Sequence, residues 1–313
     1  MTTQNNSARR ITYVWPQMFE EQPGLGHMKE IARTLIAEAH LSRRVAVLPP
    51  LSSNPTHNPR RAGLLNWSDY FDWAALPVID ARWKNLGDFG RFLRQSSPVH
   101  VVDHEKKLFS AGGDEGFLIR FFPGPNIFGE WIGRKDTIIP DMLREPLFSD
   151  QFPLRIQEQA AEVVAEIGVP VGVIHIRRGD LAGPETEPDA VINYLYSKGA
   201  KKSSRLFALT NETAPGYAAQ LRSEFPLIVI EHEVACLQRI QKDDPDNYRI
   251  FRIGKCLQAR HDSLKLGTLR YMRAVTPQPH SFSVCTRIQN LLAKNSPFLR
   301  RHITINWLRK HTV

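Results

Sequence analysis

From Ser263 to Val313 the sequence contains no aspartate or glutamate, yet nine lysines and arginines fall there. The other 32 basic residues balance all 32 acids, so the whole formal excess of +9 belongs to this last stretch. A basic balance spread over a body points to a polyanion such as nucleic acid. An excess confined to one end is ordinarily a solvated tail, and no specific nucleic-acid partner is expected. Cysteine is nearly as scarce. Cys236, Cys256 and Cys285 stand far apart, which excludes a dense disulfide framework and any zinc-ligand spacing. They read as buried or idle thiols. No run approaches the ~20 apolar residues of a membrane span, so no transmembrane segment is expected. The N-terminus, MTTQNNSARR, leads into ITYVW without the apolar core of a signal peptide. As written, the chain starts in the cytosol; a luminal domain trimmed of its anchor is the alternative. HExxH and GxSxG are missing, which leaves metalloprotease and α/β-hydrolase readings without support. There is no internal repeat and no low-complexity tract.

What is present is an ordinary globular balance, 42% hydrophobic and 23% charged over 313 residues. That length suits two domains of about 150 residues each. Ile11–Trp15 reads as a first strand, followed by a loop and then by Met28, Ile31, Ala32, Leu35, Ile36 and Ala39 at helical spacing. Arg44–Leu48 is a second strand, stopped by Pro49 and Pro50. Strand, glycine loop, helix and strand in that order form a βαβ unit, hence an α/β fold with a parallel sheet.

Residues 51–66 read as loop, with Ser68 capping a short turn that contains Asp69–Asp72. Strands are expected at Leu76–Ile79, Val99–Val102 and Phe117–Phe122, with a helix over Arg82–Arg94. The second half alternates again. A helix over Leu154–Ile167 ends at Gly168. The strand Val169–Ile176 follows, then a helix over Asp189–Ser197 and the strand Arg205–Thr210. Pro215–Phe225 reads as helix and Leu227–Ile230 as strand. Asp246–Arg273 reads as one long helix, and Cys285–Lys294 as a last one. The domain assignment is 1–150, 151–275 and a basic tail, 276–313.

Three stretches lie at C-terminal ends of expected strands, where open parallel sheets bind ligands. The first is Val169–Asp180, VPVGVIHIRRGD, a buried strand that delivers His175, Arg177, Arg178 and Asp180. Strand alternation puts His175 and Arg177 on one face and Arg178 on the other. An arginine fork there needs an anion. Asp180 in a structural salt bridge and a phosphate ligand are equal alternatives from these residues alone. The second is GLGHMKE, where Gly24 and Gly26 precede a helix N-terminus suited to a phosphate or a sugar hydroxyl. It is neither GxGxxG nor a P-loop, and such turns are common without a ligand. The third is Thr210–Glu212, TNE, where Thr210 and Asn211 either bond a nucleoside or cap the next helix, capping being the default. Trp67, Tyr70 and Phe71 with Asp69 and Asp72 read as a turn packed on the core, with contact to a sugar as the alternative. His261-Asp262 reads as a surface pair.

HIRRGD resembles the H-x-R-x-x-D signature of the GDP-fucose-dependent fucosyltransferases, the clan of protein O-fucosyltransferases and α1,2/α1,6-fucosyltransferases. ITYVW…GLGHM looks like the family's first strand and glycine-rich donor loop, LFALTNE like its second conserved strand, and VLPP…WSDYFD like its early region. The resemblance covers residues 11–262 in layout. It implies a GT-B-like fold, two Rossmann-type domains with parallel sheets facing a cleft. It also implies a metal-independent, inverting transfer of fucose from GDP-fucose to an acceptor protein or glycan, with no cofactor. Arg177 would be the catalytic residue, neutralising charge on departing GDP. His175, Arg178 and Asp180 would join it in binding the donor, along with Gly24, Gly26, His27, Thr210 and Asn211. A catalytically degenerate binding module is the alternative. Glu20, Glu21, Glu30 and Asp69 are all open as general base. The family's third block, a Ser/Thr-containing turn that holds phosphate, has only HDSLKLGT at His261–Thr268 as its nearest candidate, on an expected helix. His27-Met28 stands where the family often carries Asn or Gln, and the acid-free end matches no part of the pattern.

Overall fold

The computed structural model describes residues 9–12, 24–41, 44–48, 51–53, 57–61, 64–73, 78–79, 99–102, 117–120, 141, 144, 148, 150–178 and 182–270. These fall into two compact units, one drawn from Met1–Gln151 and the other from Phe152–Gln278. The helices expected over Arg82–Arg94 and Cys285–Lys294, and the basic tail 276–313, lie outside the described residues. Among the described residues no helix is long and apolar enough to cross a membrane.

The first unit carries a parallel sheet of β1 (Arg9–Thr12), β2 (Arg44–Val47), β5 (Val78–Ile79), β6 (Val99–Val102) and β7 (Phe117–Arg120), in the order β5-β2-β1-β7-β6. Helix α1 (Leu25–Leu41) joins β1 to β2 as the βαβ pattern requires, with Met28, Ile31, Ala32, Leu35, Ile36 and Ala39 buried. The stretch 51–66 is not wholly loop. Leu51–Ser52 (β3) and Leu64–Leu65 (β4) pair antiparallel, because Leu51 and Leu65 bury their side chains at the two ends of the excursion. The 3-10 turn Trp67–Asp69 is capped in position by Asn66, not Ser68, and without a side-chain hydrogen bond. Trp67, Tyr70, Phe71 and Trp73 are buried, with Phe71 stacked on Trp73 at 5.4 Å. The aromatic side chains of this stretch are therefore core, while Asp72 is exposed.

The second unit is built on β8 (Gly172–Arg177), β9 (Leu206–Thr210), β10 (Ile228–Ile230) and β11 (Thr268–Arg270), all parallel, in the order β10-β9-β8-β11. Helices α2 (Leu154–Ile167), α5 (Ala235–Asp243) and α6 (Asn247–His261) cover one face, where Ile156, Val163, Val173, Phe207, Ile240 and Ile253 form a core. Helices α3 (Pro188–Ser197) and α4 (Pro215–Glu224) cover the other, over Ile174, Ile176, Leu206 and Ala208. Covering both faces explains why VGVI and LFAL read as continuous apolar runs without alternation. The strand expected from Val169 begins only at Gly172; Val169 and Val171 are exposed.

The long helix expected over Asp246–Arg273 stops at His261. Asp262 turns the chain. Its carboxylate accepts from the N–H of Leu266 at 2.7 Å, Gly267 at 3.3 Å and Val173 at 3.3 Å. Lys265 and Gly267 take positive φ, 52° and 66°, and β11 follows. Asp262 is thus a structural anchor, not half of a surface pair.

Helix α6 packs close to β9. A Cβ on Gly254 would sit inside the Leu209 side chain, so Gly254→Val should overpack this contact. The expected loss of unfolding free energy is about 1–3 kcal/mol, measured by denaturant titration of the full chain.

Candidate functional site

The strand order of the second unit reverses once. From β8 the chain adds β9 and then β10 on one side, and returns to lay β11 on the other. Such a switch point opens a crevice at the C-terminal ends of the two strands that flank the reversal. Here those strands are β8 and β11, with Arg270 in register with Arg177 and Thr268 with His175. Neighbours in register on parallel strands point to the same side of the sheet. Val173, on this face, packs against the α2–α5–α6 layer. His175, Arg177, Thr268 and Arg270 therefore share the α6 face.

His175 is half-buried there. Its ring meets Phe251 edge-on at 5.2 Å, and its Nδ1 lies 3.4 Å from Thr268 Oγ1. Lys255 Nζ donates to Thr268 Oγ1 at 3.0 Å and to Gln258 Oε1 at 2.7 Å. Burial, then the charges of Lys255 and Arg177, push the imidazole down to about 3, so His175 is uncharged at neutral pH.

Arg178 points the other way, as alternation requires, and its guanidinium is taken up within the unit. It bonds Glu212 at 2.8 Å, Glu187 at 3.0 Å and the Thr186 carbonyl at 3.0 Å, over the Tyr217 ring at 5.0 Å. Burial works against its charge, and the two carboxylates outweigh it, raising its pKa. The Glu212 carboxyl is lowered by the Ala214 N–H and then by Arg178. This geometry commits Arg178 to an internal ion network.

Asn211 Oδ1 accepts from the Arg178 backbone N–H at 3.2 Å. Thr210 is buried, and its Oγ1 accepts from the Glu212 N–H at 3.1 Å. Neither caps α4, whose cap position is Ala214. The TNE stretch instead ties the end of β9 to the end of β8. Asp180 lies outside the described residues.

Gly24, Gly26 and His27 belong to the first unit. Gly24 immediately precedes α1, its carbonyl accepting from Met28 N–H at 3.1 Å. The His57 ring packs against Gly24 closely enough that a Cβ would lie 3.0 Å from Cδ2. Gly26 is exposed, and the side chain of His27 lies outside the described residues. Of the general-base candidates, Glu30 is held by Lys29 at 3.1 Å and Arg33 at 2.5 Å. Asp69 sits half-buried in the 3-10 turn. Glu20 and Glu21 lie outside the described residues.

Four residues of the site escaped the sequence reading: Lys255, Thr268, Arg270 and Glu231. The first three were hidden by running α6 on to Arg273, which left no strand beside β8. Glu231 follows β10 directly, and the strand-end rule applied to LIVIE would have found it. Burial pushes its carboxyl up to about 8, although the Thr210 N–H hydrogen bond works to lower it. Among the described residues no group of three His, Cys, Asp or Glu side chains is placed to hold a metal ion. Cys236 and Cys256 are buried and in no disulfide. HDSLKLGT supplies no open phosphate turn, since Asp262 fills it with its own carboxylate. The chain matches no protein-family model, and no curated protein matches it.

Two outcomes follow from these environments. Arg178→Ala should cost about 1–3 kcal/mol of stability by stranding Glu212 and Glu187, and Arg178→Lys should not restore it, because an ammonium cannot fork; denaturant titration measures both. His175 has a folded-state pKa of about 3 against an ordinary 6.5. Between those values the unfolded chain binds the extra proton, so stability is full above pH 6.5 and falls as the pH drops. His175→Gln should flatten that part of the stability–pH curve.

Proposed function

We propose that the chain is a fucosyltransferase that moves fucose from GDP-fucose to a hydroxyl of a protein or glycan, with inversion and without a metal. The observation that supports this best is the pair Arg177 and Arg270, in register at the C-terminal ends of the strands where the sheet order reverses. A diphosphate laid in that crevice would meet two guanidinium forks from adjacent strands. As the acceptor hydroxyl attacks and the bond to GDP breaks, negative charge grows on the leaving phosphate. Arg177, the residue that matches the signature arginine, would neutralise it in place, a preorganised charge that costs no rearrangement. Thr210 and Asn211, at the end of the next strand, would lie along the nucleotide. Gly24, Gly26 and His27 would approach the donor from the first unit, which makes a GT-B pairing of the two Rossmann-type units part of the proposal.

One observation favours a second reading, a degenerate transferase fold that binds glycan or protein without turnover. The turn at Asp262–Gly267 spends its N–H groups on a carboxylate of the chain itself, where the resembled family holds phosphate.

Calorimetry with GDP-fucose tests the first reading. The intact chain should bind, and Arg177→Ala should weaken binding by about 1.5–3 kcal/mol, the loss of a charge-assisted hydrogen bond. Arg270→Ala should weaken it in the same direction. No binding by the intact chain overturns the proposal; binding without GDP release in the presence of acceptor glycans selects the second reading.

A further inference from the structure

The polar groups on the α6 face of β8 and β11 fit together in a way that sets a proton. Lys255 carries only donors. Its Nζ stands 3.0 Å from Thr268 Oγ1 and 2.7 Å from Gln258 Oε1. The Gln258 amide is itself fixed, since its Nε2 donates to the carbonyls of Val173 at 3.0 Å and Gly267 at 2.7 Å. Lys255 is thereby held as a donor to Thr268, whose oxygen accepts and whose one hydroxyl proton remains to be given. The His175 Nδ1 at 3.4 Å is the acceptor in reach. In the reverse arrangement, with the proton on Nδ1 donating to Oγ1, the hydroxyl of the exposed Thr268 would have to give its proton to water instead of to the ring. Phe251 holds the ring edge-on at 5.2 Å and so fixes its plane. The charged groups that share the ring's face are Lys255 from α6, Arg177 from its own strand and Arg270 from β11, all cations, and none favours an imidazolium.

We infer that Lys255 and Thr268 are positioning residues that fix His175 as the neutral ring protonated on Nε2, so that it offers a hydrogen-bond donor to a bound oxygen and no base. The ligand atom it suits is an acceptor, a phosphate, carbonyl or hydroxyl oxygen. With Nδ1 taken by the Thr268 hydroxyl and Nε2 already carrying its proton, His175 has no lone pair for a substrate proton. This role rests on the side-chain network and not on which donor the crevice binds.

The test is long-range proton–nitrogen correlation NMR on the full chain labelled in histidine, at neutral pH and without ligand. The His175→Gln variant identifies the His175 signals among those of the 11 histidines. The wild-type ring should show Nε2 protonated and Nδ1 bare, and should keep this form well below the ordinary histidine range. Thr268→Ser should preserve the pattern, and Thr268→Val should give a mixture of the two tautomers. Lys255→Met should let the ring take up a proton at a higher pH than in the wild type. A wild-type ring protonated on Nδ1, or doubly protonated at neutral pH, overturns the inference. So does a Thr268→Val spectrum identical to that of Thr268→Ser. If a variant fails to fold, the wild-type spectrum alone decides. A chain that binds no GDP-fucose still gives the answer.

Discussion

The carboxylate of Asp262 is the constraint on which the second unit's site depends. It accepts N–H groups from Leu266 and Gly267 in its own turn, and from Val173 on β8. The first two end α6 and reverse the chain; the third ties that reversal to the sheet. The His175 N–H then donates to the Gly267 carbonyl at 3.0 Å, continuing the link one residue before β11 begins. The register follows from that anchoring, Thr268 beside His175 and Arg270 beside Arg177. Each of the three bonds has a carboxylate as its acceptor, a kind that contributes roughly 1.5–3 kcal/mol. Their joint effect is geometric. A slip of one residue would exchange the faces of every β11 side chain, sending Arg270 toward the α3–α4 layer and Leu269 into the polar pocket.

The same period of two divides the labour within HIRRGD. Arg177 and Arg178 are adjacent in sequence and identical in chemistry, yet they meet opposite layers. Toward α3 and α4 lie Glu187, Glu212 and Tyr217, which enclose Arg178 and through it join the end of β8 to the end of β9. Toward α6 lie Phe251, Lys255 and His175, a wall with no carboxylate among its described side chains. A guanidinium is stabilised internally on the first side. On the second, Arg177, Arg270 and Lys255 bring positive charge to one face of the sheet.

How much of this was legible in the sequence follows from which signals are local. The strands β8 and β9 were visible because burial on two faces leaves unbroken apolar runs, and α2 because its stripe repeats cleanly. The opposite facing of Arg177 and Arg178 was visible too, since it needs only the strand period. The switch point was not. No proline or other strong breaker marks the end of the helix at His261, and β11 is only three residues long. What overrides the helix is a carboxylate whose partner on β8 is 89 positions away in sequence, a contact no window of residues contains. With β11 hidden, Arg270, Thr268 and Lys255 had no reason to be placed at the site. The two-residue pairing of β3 with β4 was lost in the same way, inside a segment whose prolines and asparagines all signal loop.

The titratable groups at this sheet edge bear on where a proton can go. His175 and Glu231 are both shifted toward their uncharged forms, the imidazole down to about 3 and the carboxyl up to about 8, and burial is the leading cause of each. Near pH 7 the ring therefore has no charge, and the carboxyl keeps its proton. The protonated carboxyl is a hydrogen-bond donor, and the neutral imidazole carries one donor and one acceptor nitrogen. Lys255 and the arginines are the cations here, and Arg178 is bonded to Glu187 and Glu212. The described end of β8–β11 thus offers cationic forks and uncharged hydrogen-bonding groups on one face, a set suited to negative charge.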